Sequence, residues 1–307
     1  MQRRYPPASP PGATRPGAAA ERRRKRQERH PLRIPWRGCL LLLVPVALLL
    51  GTAAAYLLWP AQTNLLVFGI DYTVPWEATA RSDSILLLGF NPQPAQVRLL
   101  SIPRDLWVNI PGQGENRINT AHYVAESQQA GSGPQALRST IEQNFAIPVD
   151  YHLRFRFESF RDIIDALGGV DIVLSEPTAG YPAGRHHLTG RKALAFVRDR
   201  SSAASDFGRM SQGQFMFKAI LKNLMNPLKW PRLPGAARTF FDAVDTDIPA
   251  WLWPRLAFTL LRLGPGGIES HIIDQNMVSN YTTDQGAMVL LPEWTLIRLL
   301  AASLFQK

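Results

Sequence analysis

Asn64-Leu-Leu-Val-Phe-Gly69, Ser84-Ile-Leu-Leu-Leu-Gly89 and Val97-Arg-Leu-Leu-Ser-Ile102 follow one another between positions 64 and 102. Each is a short apolar run bounded by turn residues, the pattern of a central β-strand. Helical patterns follow over residues 120–129, 135–144 and 160–167, the last stopped by Gly168-Gly169 and succeeded by a strand over 170–174. Between them His152, Arg154 and Arg156 alternate with Leu153, Phe155 and Phe157, which predicts a strand with one buried face. Further on, the sequence predicts a Pro-rich loop over 226–235, a helical stretch over 249–263, a strand near 271–273 and a last amphipathic helix over 292–305. No internal repeat or second domain is visible. Residues 61–307 therefore read as one α/β domain, with helices packed on a sheet.

The basic charge sits at one end. Of the formal net charge of +10, residues 1–37, with ten Arg and one Lys against Glu21 and Glu28, carry +9. The remainder is close to neutral, which fits poorly with nucleic-acid binding. The tail is dominated by Pro, Gly, Ala and Arg, a composition that predicts disorder. Residues 39–59 then run for 21 positions without a charged side chain, enough to cross about 30 Å of hydrocarbon as one helix. Pro45 and Gly51 are tolerated in such a helix. A cleaved signal peptide is the alternative, with Thr52-Ala-Ala-Ala55 as its small residues. Its apolar region usually covers about 7–15 residues, so an uncleaved anchor over 38–60 is favoured. Arginines crowd the N-terminal flank, and the next basic residue is Arg81. The positive-inside rule then places residues 1–37 in the cytoplasm and 61–307 outside the cell membrane; the same arginines suit anionic lipid. Cys39, the single cysteine, lies in the span, which excludes disulfides and Cys-based zinc sites from the outer domain.

Charged residues gather at the ends of the predicted strands. Asp71 follows the first and Asp83 precedes the second. If these strands pair, both carboxylates reach one rim of the sheet, where oxygen ligands suit Mg²⁺ completed by water and phosphate; two turn aspartates are the alternative. Ser101-Ile-Pro-Arg104-Asp105 follows the third strand. Pro103 fixes the exit direction, and Asp105 either holds Arg104 or acts as a base. Arg117-Ile-Asn119 opens a helix with Asn119 as its cap. Residues 194–214 read as a buried segment, an arginine loop and a helix. Arg198 and Arg200 would share one face of extended backbone, Asp206 would cap the helix, and Arg209 would fall in its first turn. Three guanidinium groups at a helix N-terminus suit a phosphate or pyrophosphate; a solvated arginine loop is the alternative. None of His122, His152, His186, His187 and His271 has metal-ligand spacing.

Taken in order, these pieces resemble the LytR-CpsA-Psr (LCP) family. The resemblance rests on NLLVFGID at 64–71, RSDSILLL at 81–88, LLSIPRDLWVNIPG at 99–112, RINTAHYV at 117–124 and FRDIIDALGGVDI at 160–172, with LTGRKALAFVRDR at 188–200 and DFGR at 206–209. It implies a three-layer α/β/α domain with a central mixed sheet, behind a tail and one membrane span. It further implies a phosphotransferase that takes a glycopolymer from an undecaprenyl-pyrophosphate carrier and joins it, through a phosphodiester, to a hydroxyl of peptidoglycan. By motif position, Asp71 and Asp83 would bind Mg²⁺. Arg81, Arg104, Arg117, Arg198, Arg200 and Arg209 would hold the pyrophosphate, with Gln214 assisting. Arg104, Arg209 and Asp206 would act in catalysis, Asp206 orienting the arginine helix or assisting the acceptor hydroxyl. The family's polyprenyl tunnel would run between sheet and helices; Phe155, Phe157, Ile163, Phe215 and Phe217 could line it, but ordinary core packing is the favoured reading of each.

Chemistry at phosphorus needs charge neutralisation and in-line positioning more than a protein nucleophile, and the sequence has no Gly-x-Ser-x-Gly elbow. One departure stands out. Where the family has R-x-x-R-Q, this chain has Arg209-Met-Ser-Gln212-Gly213-Gln214. A pyrophosphatase acting on the same lipid-linked substrate, or a non-catalytic lipid-glycan scaffold, are the alternatives to the transferase.

Overall fold

The computed structural model describes residues 36–59, 61–70, 82–199 and 206–306, and for residues 36–42 and 206 the backbone alone. The expectations for the basic tail and for Asp71, Arg81 and Arg200 fall outside these residues. Helix α1 (Trp36–Leu58) follows the uncharged run. Its side chains are described from Leu43 onward, and among the described residues no helix is long and apolar enough to cross a membrane.

The three apolar runs form β1 (Thr63–Ile70), β2 (Ser82–Pro92) and β3 (Ala95–Ile102), paired antiparallel with Leu66 opposite Leu87 and Leu87 opposite Leu100. Their continuous hydrophobicity has a simple cause: both faces are covered. Leu66, Phe68, Ile85, Leu87, Leu100 and Ile102 point into one core, while Leu65, Leu88, Phe90, Val97 and Leu99 point into another.

Beyond β3 come the hairpin β4 (Trp107–Ile110) and β5 (Gly114–Arg117), then α2 (Ile118–Gln128) and α3 (Gly133–Phe145). β6 (Tyr151–Arg156) joins the sheet parallel to β1 and leads into α4 (Phe157–Ala166). A second hairpin, β7 (Val170–Leu174) with β8 (Gly184–Leu188), precedes α5 (Gly190–Arg198) and α6 (Asp206–Leu224). α7 (Leu233–Ala243), β9 (Val244–Thr246), α8 (Trp253–Leu263) and β10 (Ile268–Ile272) follow. The hairpin β11 (Val278–Thr282) with β12 (Met288–Pro292) and α9 (Trp294–Phe305) complete the chain.

The main sheet has the order β10-β3-β2-β1-β6-β9, with β10 parallel to β3 and β9 antiparallel to β6. It is the expected mixed central sheet. Ile118, Ala121, Leu137, Ile141, Ala301 and Leu304 cover one face from α2, α3 and α9. Leu221 and Leu256 cover the other from α6 and α8. A third cluster, with Ile164, Val170, Phe196 and Met216, joins the β7–β8 hairpin to α4, α5 and α6.

Three local expectations change. The buried segment before the arginine loop is a helix, so Arg198 ends a helix instead of lying in extended backbone, and its partner Arg200 falls outside the described residues: Gly190, Ala193 and Phe196 are buried at threefold spacing, so one helical face packs and the arginines at 191 and 198 flank it. α2 starts at Ile118, so Asn119 lies buried inside the first turn instead of capping it. The Pro-rich piece after Asn226 is a 3₁₀ helix over Pro227–Arg232, with Pro231 inside it, that runs into α7; Pro227 and Pro234 occupy first-turn positions, where a missing N–H costs nothing.

Candidate functional site

Strand direction builds the site. β1, β3, β6 and β10 all run the same way, so the carboxyl ends of these strands and the start of β2 share one rim, where Ile70 faces both Ser82 and Arg156 and Ile272 faces Ser101. Open sheets of this kind bind ligands beyond strand carboxyl ends because chain exits there can be specialised without disturbing the core.

On that rim four charged side chains interlock. Arg104, just past β3, places Nη1 2.8 Å from Asp83 Oδ1 and Nε 3.3 Å from Asp105 Oδ2. Arg117, at the end of β5, places Nη1 3.2 Å from Asp105 Oδ1. All four side chains are between 17 and 26% exposed, so they are wet enough to meet a ligand and dry enough to be held. Backbone fixes the same corner: Leu106 N–H donates to Pro103 O, Ile118 N–H to Leu106 O and Asn119 N–H to Arg104 O. Asp105 therefore engages both oxygens on guanidinium groups. This makes it the clamp for Arg104 and Arg117 rather than a base.

The arginine helix is tied to the same place. Gln214 is buried in α6, and its Nε2 donates to Ser101 Oγ at 2.8 Å and His271 O at 2.7 Å. Ser101 lies three residues before Arg104. The amide donor thus pins α6 to the ends of β3 and β10, and Arg209 sits about 7.5 Å nearer the helix N-terminus. Arg198, the last residue of α5, lies with its guanidinium carbon 4.8 Å from the Phe157 ring centre. That ring in turn lies against β1, since a Cβ on Gly69 would come within 3.2 Å of it. Gly69 faces Ser84 across the sheet, next to Asp83. Arg198 and the Arg104 cluster thus flank the end of β1, from which Asp71 follows in sequence.

Two further features escaped the sequence reading. Ser82 Oγ, Asn119 Oδ1 and Gln212 Oε1 are buried without a hydrogen-bond partner among the described residues. Such an oxygen costs about 1–3 kcal/mol unless a donor arrives. Hydroxyl burial at a strand start has no sequence signal, so Ser82 could not have been singled out. Arg154 is the second feature: Nη1 lies 3.2 Å from Glu126 Oε1 and 3.1 Å from His122 Nε2, and Nη2 lies 2.7 Å from Asp245 Oδ2. Burial pushes the Glu126 carboxyl up, but N–H donors from Gly131 and Gly133 and the Arg154 charge outweigh it and leave the group below its usual range. This network holds α2 and α3 against β6, behind the rim.

Among the described residues no group of three or more His, Cys, Asp or Glu side chains could hold a metal. Asp83 Oδ2 makes no hydrogen bond among them, and a hard cation suits such an oxygen.

The LytR_cpsA_psr family profile matches residues 60–293. This chain belongs to that family. The LytR_cpsA_psr assignment extends to named relatives. The polyisoprenyl-teichoic acid--peptidoglycan teichoic acid transferase TagU of Bacillus mycoides (strain KBAB4) is 33% identical over 178 residues, 56% of each chain. The regulatory protein MsrR of Staphylococcus aureus (strain COL) is 29% identical over 195 residues, 61% of this chain and 57% of that one. The chain thus spans a little over half the length of these curated relatives. Among solved structures, B. subtilis TagV superposes with a TM-score of 0.64 at 22% identity, covering 80% of this chain and 97% of that one. TagT bound to LIIa-WTA gives 0.63 at 23% identity, covering 80% and 91%. At these identities the likeness shows the fold.

Within the LytR_cpsA_psr fold, the structure pairs Asp83 with Arg104, links Arg104 to Arg117 through Asp105, and sets Arg198 and Gln214 on the same rim. Asp71, Arg81 and Arg200 lie outside the described residues, as does the side chain of Asp206, the residue that begins α6. Position 213, glycine here, has open space around it.

Proposed function

We propose that this chain is a membrane-anchored phosphotransferase that moves a glycopolymer from a polyprenyl-pyrophosphate carrier to a hydroxyl of peptidoglycan. The observation that carries this reading is the clamp of Arg104 and Arg117 by Asp105, on the rim that also receives Arg198 and the N-terminal end of α6. Guanidinium groups so oriented present parallel N–H donors to phosphate oxygens, and being fixed beforehand they need little reorganisation when charge develops. The teichoic acid transferase TagU and the complex of TagT with LIIa-WTA support the same substrate class.

In the reaction the acceptor oxygen forms a new bond to the phosphorus that carries the glycan, and the bond from that phosphorus to the bridging oxygen breaks. Polyprenyl phosphate departs with the electron pair. Arg104, Arg117 and Arg209 hold the non-bridging and departing oxygens, while Arg198 approaches from the β1 side. Asp206, at the start of α6, is the candidate to receive the hydroxyl proton. Mg²⁺, held by Asp83 with Asp71, would supply further neutralisation of phosphate charge. Ser82 Oγ and Asn119 Oδ1 offer the acceptors that a bound hydroxyl or water requires.

The anchor is residues 38–60, with the catalytic domain outside the membrane. Support comes from the uncharged run of 21 residues and the arginine-rich flank before it.

The full chain in detergent micelles, given Mg²⁺, a polyprenyl-pyrophosphate glycan and peptidoglycan, is expected to form a phosphodiester-linked product. Free glycan phosphate as the sole product identifies a pyrophosphatase instead. Tight binding without turnover identifies a scaffold, in which Gln212 and Gly213 have replaced needed groups.

A further inference from the structure

Helix α8 is apolar on two faces. Its inner side packs Leu256, Leu260 and Leu263 into the core beside buried Arg255 and Thr259, and Pro254, Ala257, Phe258 and Leu261, the i, i+3, i+4, i+7 positions of another face, are exposed. Trp251, in the 3₁₀ turn before it, is 59% exposed. Phe241 at the end of α7 is 51% exposed, and its ring centre lies 5.1 Å from that of Trp253, so it extends the same surface. Single exposed apolar residues are ordinary, but a contiguous helical stripe with two added aromatics marks an interaction surface. A helix with an apolar stripe outside as well as inside is fitted to something other than water on its outer face.

The same helix holds the chain where it leaves the uncharged run. The Arg255 guanidinium donates to Trp59 O and, at 2.9 Å, to Ala61 O, and the Tyr56 hydroxyl donates to Trp251 O. Only residues 59–62 separate the last residue of α1 from the first of β1. Four residues reach at most about 14 Å when fully extended. If residues 39–59 cross a bilayer, Trp251 and Arg255 are kept within that distance of its outer leaflet.

We propose that the exposed face of α8, together with Trp251 and Phe241, seats in the interfacial zone of the outer leaflet. This rests on the anchor proposed above. Tryptophan and phenylalanine suit that zone, and Arg262, exposed at the edge of the stripe, is placed to meet lipid phosphates. The seat has a consequence for the site. β1 begins at Thr63 beside the seat and ends at Ile70 on the arginine rim, a rise of about 23 Å. The docked helix therefore fixes the height at which a membrane-derived head group is met.

The test uses the full chain carrying Cys39→Ser, reconstituted in phosphatidylcholine–phosphatidylglycerol vesicles. A polarity-sensitive dye is attached through Phe258→Cys, Leu261→Cys or, as control, Asn109→Cys, an exposed position on the β4–β5 hairpin. All three sites are exposed, or nearly so, and should not disturb folding. The proposal expects blue-shifted emission at 258 and 261 with loss of intensity when shallow doxyl-labelled lipid is included, and neither change at 109. Protein that floats with the vesicles but shows water-like emission at all three positions overturns the seat and leaves the anchor standing. A blue shift without lipid quenching also overturns it, since a second copy or another protein then covers the face. Failure to float defeats the anchor itself, and the seat with it.

Discussion

Replacing Asp105 by alanine removes one carboxylate and takes a partner from each of two guanidinium groups, Arg104 keeping its pair with Asp83, which separates the positioning of charge from its presence. Asp105 meets Arg104 at 3.3 Å and Arg117 at 3.2 Å. With an effective dielectric near 20 each pair has a gross attraction of about 5 kcal/mol. Desolvation and side-chain entropy offset most of this, and partly exposed pairs retain about 1 kcal/mol net. Asp105→Ala should therefore lower folding stability by about 2 kcal/mol and the melting temperature by about 4–8 °C. The effect on turnover should be larger than that on structure. Each arginine that loses its orientation forfeits part of a charge-assisted hydrogen bond worth about 1.5–3 kcal/mol in the transition state, so kcat should fall roughly 10–100-fold. Ground-state affinity for the diphosphate should hold or improve, because the site gains a positive charge. Steady-state transfer kinetics with a polyprenyl-pyrophosphate glycan, run beside thermal unfolding, separate the two effects. A kcat within about twofold of wild type, with the melting shift still present, would show that the clamp serves folding alone.

Three other variants probe the supports. Gln214→Leu should cost about 2–3 kcal/mol, because Ser101 Oγ and His271 O lose a buried donor, and chemical denaturation reads this directly. Gly190→Ala should unfold the α4–α5 corner, since its Cβ would overlap the Arg161 carbonyl oxygen; a melting temperature near wild type would contradict that packing. The lowered Glu126 carboxyl contributes stability that is complete above the unfolded-state value of about 4.3 and is lost as pH falls through its lower folded value. Glu126→Gln should accordingly be less stable at pH 7, and the difference from wild type should shrink in urea titrations carried to acid pH.

The central strands were legible because burial on both faces leaves no polar alternation to confuse the reading, and Leu65 to Phe68 could be nothing but interior. The rim was legible for a related reason: Asp83 and Arg104 adjoin strands whose directions follow once they pair. Burial before the arginine loop was legible but its helical form was not, because the signal at Gly190, Ala193 and Phe196 is short and carries a glycine; Arg198, given an extended backbone, ends that helix. α7 was hidden by Pro231, inside the preceding 3₁₀ helix, and by Pro234, which marks a loop until its first-turn position is known. The role of Asp105 as a double clamp depends on the β4–β5 hairpin carrying Arg117 back to it, a long-range return that spacing alone does not encode. Gln214 was expected to face phosphate; the structure shows its amide nitrogen tying α6 to β3, a contact across 113 positions of sequence.

Transfer at this site requires one arrangement, in which the exits of β1 and β3, the start of β2, the end of β5, the last turn of α5 and the first turn of α6 enclose a single diphosphate. The most direct measurement is a crystal structure of the protein with a short-chain polyprenyl thiodiphosphate, the sulfur located by its anomalous signal. The arrangement predicts both phosphorus atoms between the Arg104–Arg117 pair and the N-terminal end of α6, with guanidinium nitrogens at hydrogen-bond distance from their oxygens. A diphosphate bound elsewhere, with the Arg104–Asp105–Arg117 clamp facing only solvent, would contradict it.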